Sequence, residues 1–182
     1  MQGQRNLRYI LDDLSDREHY LFSISDFFAV FPDLSYGGLK NLLSRAVRNG
    51  ILERVCNGMY LNPRADYPAD LVLYHTAAKY RSGYFNYLSL ETVLSDAGVI
   101  SQIPMNWITV MSSGRSYTVQ CRRFGTIEYI HTKKKPEDVE DRLIYDPRCR
   151  FWRANVELAL QDMRQTGRPM DLVDWSIVHE LA

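Results

Sequence analysis

The sequence predicts an α+β fold in two consecutive parts. In the first third of the chain, apolar residues recur at helical spacing in three segments, and the hairpin signal Asn57-Gly58 follows the third. From Trp107 onward, apolar and polar residues alternate as they do in β-strands, and helical spacing returns near the C-terminus. The chain has 182 residues, of which 46% are hydrophobic, enough for one domain or two small ones.

The first two helices and a strand are expected within residues 5 to 30. A first helix is predicted over residues 5 to 14, because four apolar residues fall on one face: Leu7, Ile10, Leu11 and Leu14. Residues 20 to 24 alternate like a short strand. Ser25 is the expected N-cap of a second helix that ends near Val30.

A third helix and a hairpin complete the first part. Ser35 is expected to cap a helix over residues 36 to 48, which Asn49-Gly50 ends. Residues 51 to 55 and 59 to 61 flank Asn57-Gly58 as two strands. The order helix, strand, helix, helix, hairpin is typical of a winged helix-turn-helix, which we assign to residues 1–62.

The third helix has one apolar and one polar face. At 100° per residue, its apolar side collects Leu39, Leu42, Leu43, Ala46 and Val47, and its polar side collects Lys40, Asn41, Ser44, Arg45 and Arg48. This division is what a recognition helix needs. Gly37 also lies on the polar side, where it allows the backbone to approach a phosphate at the helix N-terminus.

The expected DNA contacts fall into three groups. Side chains near the helix N-terminus are placed to read bases in the major groove: Tyr36, Lys40, Asn41 and Ser44. Arg45 and Arg48 are placed to hold phosphates, and Arg54 and Asn57 on the hairpin to touch backbone or the minor groove. Two alternatives stay open. The polar face is also what a solvated surface helix shows, and helix-turn-helix units dock proteins as well as DNA.

The formal net charge is zero, but it results from cancellation between segments. Residues 35 to 64 carry five basic residues against one acid, a net charge of +4. Residues 115 to 135 carry a net charge of +5, with Glu128 opposing six basic residues: Arg115, Arg122, Arg123, Lys133, Lys134 and Lys135. A globally basic coat protein is excluded, whereas a local basic surface is not.

The second basic block has two interpretations. Arg115, or Arg122 with its neighbours across a hairpin, could form one charged sheet face that binds a polyanion or an acidic partner. Alternatively, these arginines keep an exposed sheet face soluble. Lys133, Lys134 and Lys135 precede a run of acids and are expected in a solvated loop before a helix start.

After a linker at residues 63–68, residues 69–182 are predicted to form a small mixed α+β domain. Helices are expected over residues 69 to 80, from a Ser89 cap to Gly98, over 151 to 165 and over 171 to 181; strands are expected over 107 to 111, 116 to 122 and 125 to 132. The helix from Phe151 would carry two apolar stripes. A second stripe indicates burial on both sides, within the fold or in a homodimer.

The sequence gives no indication of catalysis. The four histidines are dispersed, the three cysteines form no CxxC pair, and no GxSxG, P-loop or GxGxxG motif occurs. We therefore expect no enzyme activity, no metal and no cofactor. No stretch is long and apolar enough for a membrane span, and unpaired cysteines fit a reducing compartment, so a cytoplasmic protein is expected, at the nucleoid when bound to DNA.

Two sets of residues support a family resemblance. The first follows the third helix: Leu43, Gly50, Leu52, Arg54, Gly58 and Tyr60. The second runs from Tyr87 to Leu94 and continues through Ile103-Pro104, Ile108 to Val110 and Arg115. Together they resemble the wing and the following signature of AbiEi-type antitoxins of type IV toxin-antitoxin systems, over about residues 20 to 131.

The resemblance implies a DNA-binding antitoxin that represses its own operon. Its partners would be operator DNA and a cognate nucleotidyltransferase-like toxin, generally without a stable inhibitory complex. The alternatives are a stand-alone winged-helix regulator without a toxin and a non-catalytic protein-interaction adaptor. Binding to DNA should weaken steeply with added salt, whereas an apolar adaptor interface should not.

Overall fold

The computed structural model describes residues 2–101 and 105–181. They form a mixed α+β fold, which confirms the predicted class. The chain divides into two compact units, Met1–Val72 and Leu73–Ala182. The segment expected to be a linker lies within the first unit, where Tyr67 stacks on Tyr20 with ring centroids 5.3 Å apart. Ile103 and Pro104, which contributed to the resemblance, lie outside the described residues.

The first unit contains helices and a small sheet. In chain order they are α1 (Gln2–Leu14), β1 (Leu21–Ser23), α2 (Ile24–Val30), α3 (Tyr36–Arg48), β2 (Glu53–Cys56) and β3 (Met59–Leu61). The sheet is antiparallel with the order β1-β3-β2, so that Tyr60 of β3 lies between Phe22 and Arg54. The hairpin strands are therefore joined to a strand some thirty residues earlier.

The core of the first unit is formed by the apolar faces of its helices and by the hairpin. Leu39, Leu43 and Ala46 of α3 are completely buried, together with Leu7 of α1. The same cluster includes Leu11, Phe27, Ile51, Leu52 and Tyr60. Burying one leucine side chain contributes roughly 1.5–3 kcal/mol, so α3 is held mainly by this face.

Helix α2 starts earlier than predicted. The prediction that Ser25 is the N-cap was wrong, because Ser23 caps the helix and Ser25 lies in its first turn. Ser23 Oγ accepts a hydrogen bond from Asp26 N at 3.2 Å, and Asp26 Oδ2 accepts one from Ser23 N at 2.7 Å. The carboxylate three residues after Ser23 completes this capping box, so the last residue of β1 also begins the helix.

The end of α3 explains why β2 starts two residues later than expected. Asn49 is the C-cap, and Gly50 has a φ of +66°, which glycine adopts without strain. The amides of Ile51 and Leu52 then both donate to Ala46 O, at 2.9 and 3.3 Å. These two residues close the helix instead of extending the strand.

The second unit is built around a six-stranded sheet. Its elements are α4 (Val72–Tyr80), β4 (Asn86–Leu88), α5 (Leu90–Asp96), β5 (Trp107–Ser112), β6 (Tyr117–Gln120), β7 (Thr126–His131), β8 (Leu143–Asp146), β9 (Phe151–Ala154), α6 (Val156–Gln165) and α7 (Trp175–Leu181). The strand order is β6-β7-β5-β4-β9-β8. The pairs β5/β7 and β4/β9 are parallel, and the other pairs are antiparallel.

The predicted helix over residues 151 to 165 was wrong in its first turn. Residues Phe151–Ala154 form β9, which pairs with β8 on one side and with β4 on the other. Trp152 lies opposite Tyr145, and the two rings make an edge contact at 5.3 Å. Asn155 then caps α6 by accepting from Leu158 N. Two of the three residues of the expected second stripe, Phe151 and Ala154, therefore lie in a strand. The third, Leu158, is buried on α6 together with Ala159, Leu160 and Met163.

The last helix is also shorter than predicted. Residues 171 to 181 were expected to be helical throughout, but α7 begins at Trp175. Before it, Val173 makes an isolated bridge with Ile100, and Asp174 N donates to Val99 O at 2.8 Å. Residues 171 and 172 form a turn, so the chain enters α7 through this turn and the bridge at Val173 and not through a continuous helix.

A buried carboxylate lies between the sheet and α6. Asp162 is completely buried, and its Oδ2 accepts hydrogen bonds from Ser89 Oγ at 2.6 Å and from the Tyr87 hydroxyl at 3.1 Å. Burial and the Asp162 charge raise the pKa of Tyr87 far above its usual value. Ser89 does occupy the N-cap position of α5, as predicted, but its side chain binds Asp162 and makes no capping hydrogen bond.

Candidate nucleic-acid interface

Helix α3 separates its side chains as the sequence predicts. Every residue of this helix that was proposed to contact DNA is exposed: Tyr36, Gly37, Lys40, Asn41, Ser44, Arg45 and Arg48. Leu39, Leu42, Leu43 and Ala46 are buried, and Val47 is half-buried. The exposed face contains no acidic residue. A polyanion approaching this face would meet only neutral and positive side chains of the helix.

The N-terminus of α3 is open to an approaching group. Ser35 Oγ accepts from Gly38 N at 3.1 Å, which satisfies one of the free amides of the first turn. A Cβ atom placed on Gly37 would meet no atom within 4 Å. The backbone at Gly37 is therefore accessible from outside, at the end of the helix that favours negative charge.

An aromatic stack fixes the first side chain of this face. The rings of Tyr36 and Phe28 are parallel within 2°, with centroids 5.7 Å apart. Lys40 Nζ lies 4.5 Å from the centroid of the Tyr36 ring. Cation–π contacts of this kind contribute about 0.5–1 kcal/mol at exposed sites. Tyr36 thus presents a positioned ring and hydroxyl while remaining about half exposed, at 54%.

The basic side chains of α3 are left unpaired by the described part of the chain. Lys40, Arg45 and Arg48 form no ion pair with any described residue. Arg45 Nε donates to Asn41 O at 3.3 Å, so this guanidinium folds back along the helix by one turn. The positive charge of this face is therefore available to an external partner.

The hairpin side chains are more constrained than the sequence suggested. Arg54 Nη2 donates to Asn57 Oδ1 at 2.9 Å, and its Nε donates to Cys56 O at 3.4 Å. Its guanidinium also lies 6.0 Å from the Tyr60 ring centroid. Arg54 is half-buried and braces the hairpin, whereas Asn57 is exposed at the turn. A contact from Arg54 to DNA would have to use the donors that these bonds leave free.

Sequence reasoning missed two contacts that position α3. Phe28 supports Tyr36 from α2, and Asn49 Nδ2 donates to Gln4 Oε1 of α1 at 2.9 Å. Phe28 is eight residues before Tyr36, across a helix boundary, and Gln4 is even more distant from Asn49. No local spacing connects either pair, so the sequence offered no signal for them.

The second basic block does not form one sheet face. Arg115 lies in the connection between β5 and β6, and Arg122 lies in a 3-10 turn, Arg122–Phe124, at the opposite end of β6. Arg123 packs its guanidinium 4.3 Å from the Phe124 ring centroid. Neither Arg115 nor Arg122 belongs to a strand. The prediction that these arginines form one charged face of the sheet was therefore wrong.

The three consecutive lysines have different environments. Lys133 is exposed, and Lys135 Nζ lies 3.9 Å from Glu137 Oε1 at the surface. Lys134 instead turns inward, where its ammonium donates to Asp162 and, at 2.7 Å, to Gln165 Oε1. The expectation of a uniformly solvated loop was wrong for Lys134, because a buried carboxylate requires a counter-charge.

Three of the four histidines lie within hydrogen-bond distance of neighbouring polar groups. His19 Nδ1 lies 3.0 Å from Asp16 Oδ1, His75 Nε2 lies 2.7 Å from Arg148 O, and His131 Nδ1 lies 2.9 Å from Gly114 O. Within residues 2–101 and 105–181, no group of three or more His, Cys, Asp or Glu side chains is arranged to hold a metal ion. In the same ranges, no helix has the length and apolar composition that crossing a bilayer requires.

The sequence of this chain matches no family model, and it has no significant similarity to a curated protein.

Proposed function

We propose that the first unit is a winged helix-turn-helix that binds double-stranded DNA, with α3 in the major groove. The observation that carries the proposal is the exposed face of α3, which bears no acid and three basic side chains that form no ion pair with a described residue. Non-specific affinity for DNA comes chiefly from such charges, because they release counterions from the phosphates. The hairpin β2–β3 follows directly and would serve as the wing.

The proposed contacts divide by chemistry. Asn41 would pair with an adenine edge and Lys40 with a guanine edge, since these are the usual pairings in the major groove. Tyr36 and Ser44 would complete the base contacts, and Arg45 and Arg48 would bind phosphates. Asn57 at the turn would reach the DNA backbone or the minor groove.

We propose further that the protein is an AbiEi-type antitoxin that represses its own operon and counteracts a nucleotidyltransferase-like toxin. The support for this step is the sequence resemblance carried by the wing residues and by the segment from Tyr87 to Leu94. The proposed partners are operator DNA, the toxin and a second copy of the chain on a palindromic operator. A stand-alone winged-helix regulator is the alternative.

DNA binding is tested by fluorescence anisotropy with a labelled duplex from upstream of the gene. We expect Lys40→Ala combined with Arg45→Ala to weaken binding at least about tenfold, since base and phosphate contacts are lost together. The matched control, Arg115→Ala with Arg122→Ala, removes the same charge from the second unit and should bind as the wild type does. Equal affinity of all three proteins would reject α3 as the recognition helix.

The antitoxin step is tested separately. The gene next to this one is expressed alone and together with this protein, and growth is followed. Rescue from toxicity by the wild type supports the proposal. If the product of the adjacent gene does not inhibit growth while this protein still binds the operator, the antitoxin proposal is rejected. The proposal that the protein is a DNA-binding regulator then remains.

A further inference from the structure

The second unit contains a cavity of about 790 Å³ between α5, β9, α6 and α7. Its volume lies within the range of about 300–1,000 Å³ that is usual for sites of small organic ligands. The elements that line it come from four separate parts of the second unit, so the cavity is a product of the tertiary fold.

The walls of the cavity are largely apolar. Val93 and Leu160 contribute side chains that are 5% exposed, and Val156 and Val178 are half-buried. Trp175 and Leu181 of α7 line it as well and remain 41% and 56% exposed. Large apolar side chains so exposed on a short helix would lose contact with water if the cavity were filled, which favours an apolar occupant.

The two arginines that line the cavity differ in whether a carboxylate neutralises them. Arg153 Nη2 donates to Asp96 Oδ2 at 2.5 Å, and its Nη1 lies 3.6 Å from Asp146 Oδ2, so this guanidinium is already neutralised. Arg164 has no carboxylate partner among the described residues, and its guanidinium lies 5.5 Å from the Trp175 ring centroid. Of the two described cations that line the cavity, it is the one without a carboxylate partner in the described part of the chain.

Glu157, at the far end of the same helix, likewise has no ion pair with a described residue. Glu157 is in the first turn of α6 and Arg164 is in the last, and both line the cavity. Seven residues of helix correspond to a rise of about 10 Å. One end of the cavity therefore attracts an anion and the other repels one.

We infer that this cavity binds a small monoanionic amphiphile, with its carboxylate at Arg164 and its alkyl or aryl chain along the apolar walls toward Glu157. A neutral ligand would make no charged contact with the guanidinium of Arg164. A dianionic ligand would place its second carboxylate near Glu157, which would repel it. The inference does not depend on the DNA-binding proposal, since it uses residues of the second unit only.

Isothermal titration calorimetry with decanoate tests the inference, because an extended ten-carbon chain is about as long as the rise of about 10 Å from Glu157 to Arg164. We expect one decanoate per chain, and about tenfold weaker binding to Arg164→Gln, since a charge-assisted contact is lost. Binding of 1-decanol should be equal for the wild type and Arg164→Gln. Decanedioate should bind the wild type more weakly than decanoate, and Glu157→Gln should reduce that difference.

A second variant locates the site. Val178→Phe fills part of the cavity from a half-buried position and should weaken decanoate binding, with folding checked by circular dichroism. The inference is overturned if decanoate does not bind at about 1 mM, if Arg164→Gln binds it as tightly as the wild type, or if several molecules bind per chain. Unchanged binding by a folded Val178→Phe would likewise place the ligand elsewhere.

Discussion

The ammonium group of Lys134 donates to the carboxylate of Asp162, whose side chain has no exposed surface. Ser89 and Tyr87 donate to the other oxygen of the same carboxylate. Isolated buried carboxylates cost several kcal/mol, and this one is compensated by one cation and two hydroxyl groups. The contact joins the segment after β7 to α6, which are far apart in the sequence.

Replacing Lys134 by Met should destabilise the second unit by about 3 kcal/mol, because Asp162 would remain buried without its counter-charge. The protein has three tryptophans, Trp107, Trp152 and Trp175, and all lie in the second unit. Tryptophan fluorescence during urea unfolding therefore measures the stability of that unit.

The control is Lys133→Met, which removes the same charge from an exposed neighbour and should change stability by less than about 0.5 kcal/mol. Adding Asp162→Asn to Lys134→Met should recover part of the loss, since no charge then remains buried. If Lys133→Met and Lys134→Met unfold at the same urea concentration, the Lys134 contact does not stabilise the fold.

The aromatic support of Tyr36 leads to a prediction for DNA affinity. Phe28→Leu keeps an apolar side chain in α2 but removes the flat ring under Tyr36. Aromatic pairs contribute about 0.5–1.5 kcal/mol beyond their buried area, so we expect binding to the operator duplex to weaken by roughly two- to tenfold. Anisotropy titrations with both proteins measure it.

Phe31→Leu is the control for this change, because Phe31 packs against the same core as Phe28 but is not part of the stack on Tyr36. It should bind DNA as the wild type does. Equal weakening in both variants would show that core packing, and not the position of Tyr36, controls the affinity.

The first unit was largely predictable because its signals are local. Ser35 caps α3, Gly50 ends it and Asn57-Gly58 turns the hairpin, each within a few residues of the element that it shapes. The two faces of α3 follow from helical geometry alone. The error at Ser25 arose because two serines lie close to the start of α2, and only Ser23 has a carboxylate three residues later.

The parts that sequence reasoning missed depend on distant partners. In the sequence, the apolar pattern of Phe151–Ala154 runs on into the pattern of α6. These residues nevertheless form a strand, because β4 and β8 offer them hydrogen bonds. Lys134 and Asp162 are separated by 28 residues, so no spacing rule brings them together. Tertiary pairing overrides local pattern at both places.

Gly125 occupies a position that only glycine fits. Its φ is +123°, and a Cβ placed there would lie 1.9 Å from Asn106 O, to which Thr126 N donates at 2.8 Å. We expect Gly125→Ala to cost about 3 kcal/mol through strain and steric overlap. Tryptophan fluorescence in urea provides the measurement, as for Lys134.

Gly83→Ala is the matched control, because a Cβ there meets no atom within 4 Å and the backbone needs no positive φ. It should stay within about 0.5 kcal/mol of the wild type. A Gly125→Ala protein as stable as Gly83→Ala would mean that the loop before β7 moves aside freely.

The contact between Asp16 and His19 leads to a prediction for the pKa of the Asp16 carboxyl group. The His19 side chain donates to Asp16, and the amides of His19 and Glu18 donate as well, which lowers the pKa of Asp16 to about 2. Because the folded pKa lies below the ordinary value, the stabilisation is present above pH 3.8 and is lost as the pH falls through about 2. His19→Ala should raise the pKa of Asp16 partway toward 3.8, as NMR titration of the carboxyl carbon would show. An unchanged pKa would mean that the amides alone set it.

Salt dependence separates a DNA-binding unit from a protein-docking unit. If α3 lies on DNA, the logarithm of the binding constant should fall linearly with the logarithm of the salt concentration, by about 0.9 per phosphate contact. The triple variant Lys40→Ala, Arg45→Ala and Arg48→Ala should flatten this slope by about 3 if all three cations meet phosphates, and by less if Lys40 reads a base. Phosphate contacts are equivalent on every sequence, so the same decrease should appear with an unrelated duplex. A slope that the triple variant leaves unchanged would assign the positive face of α3 to another role.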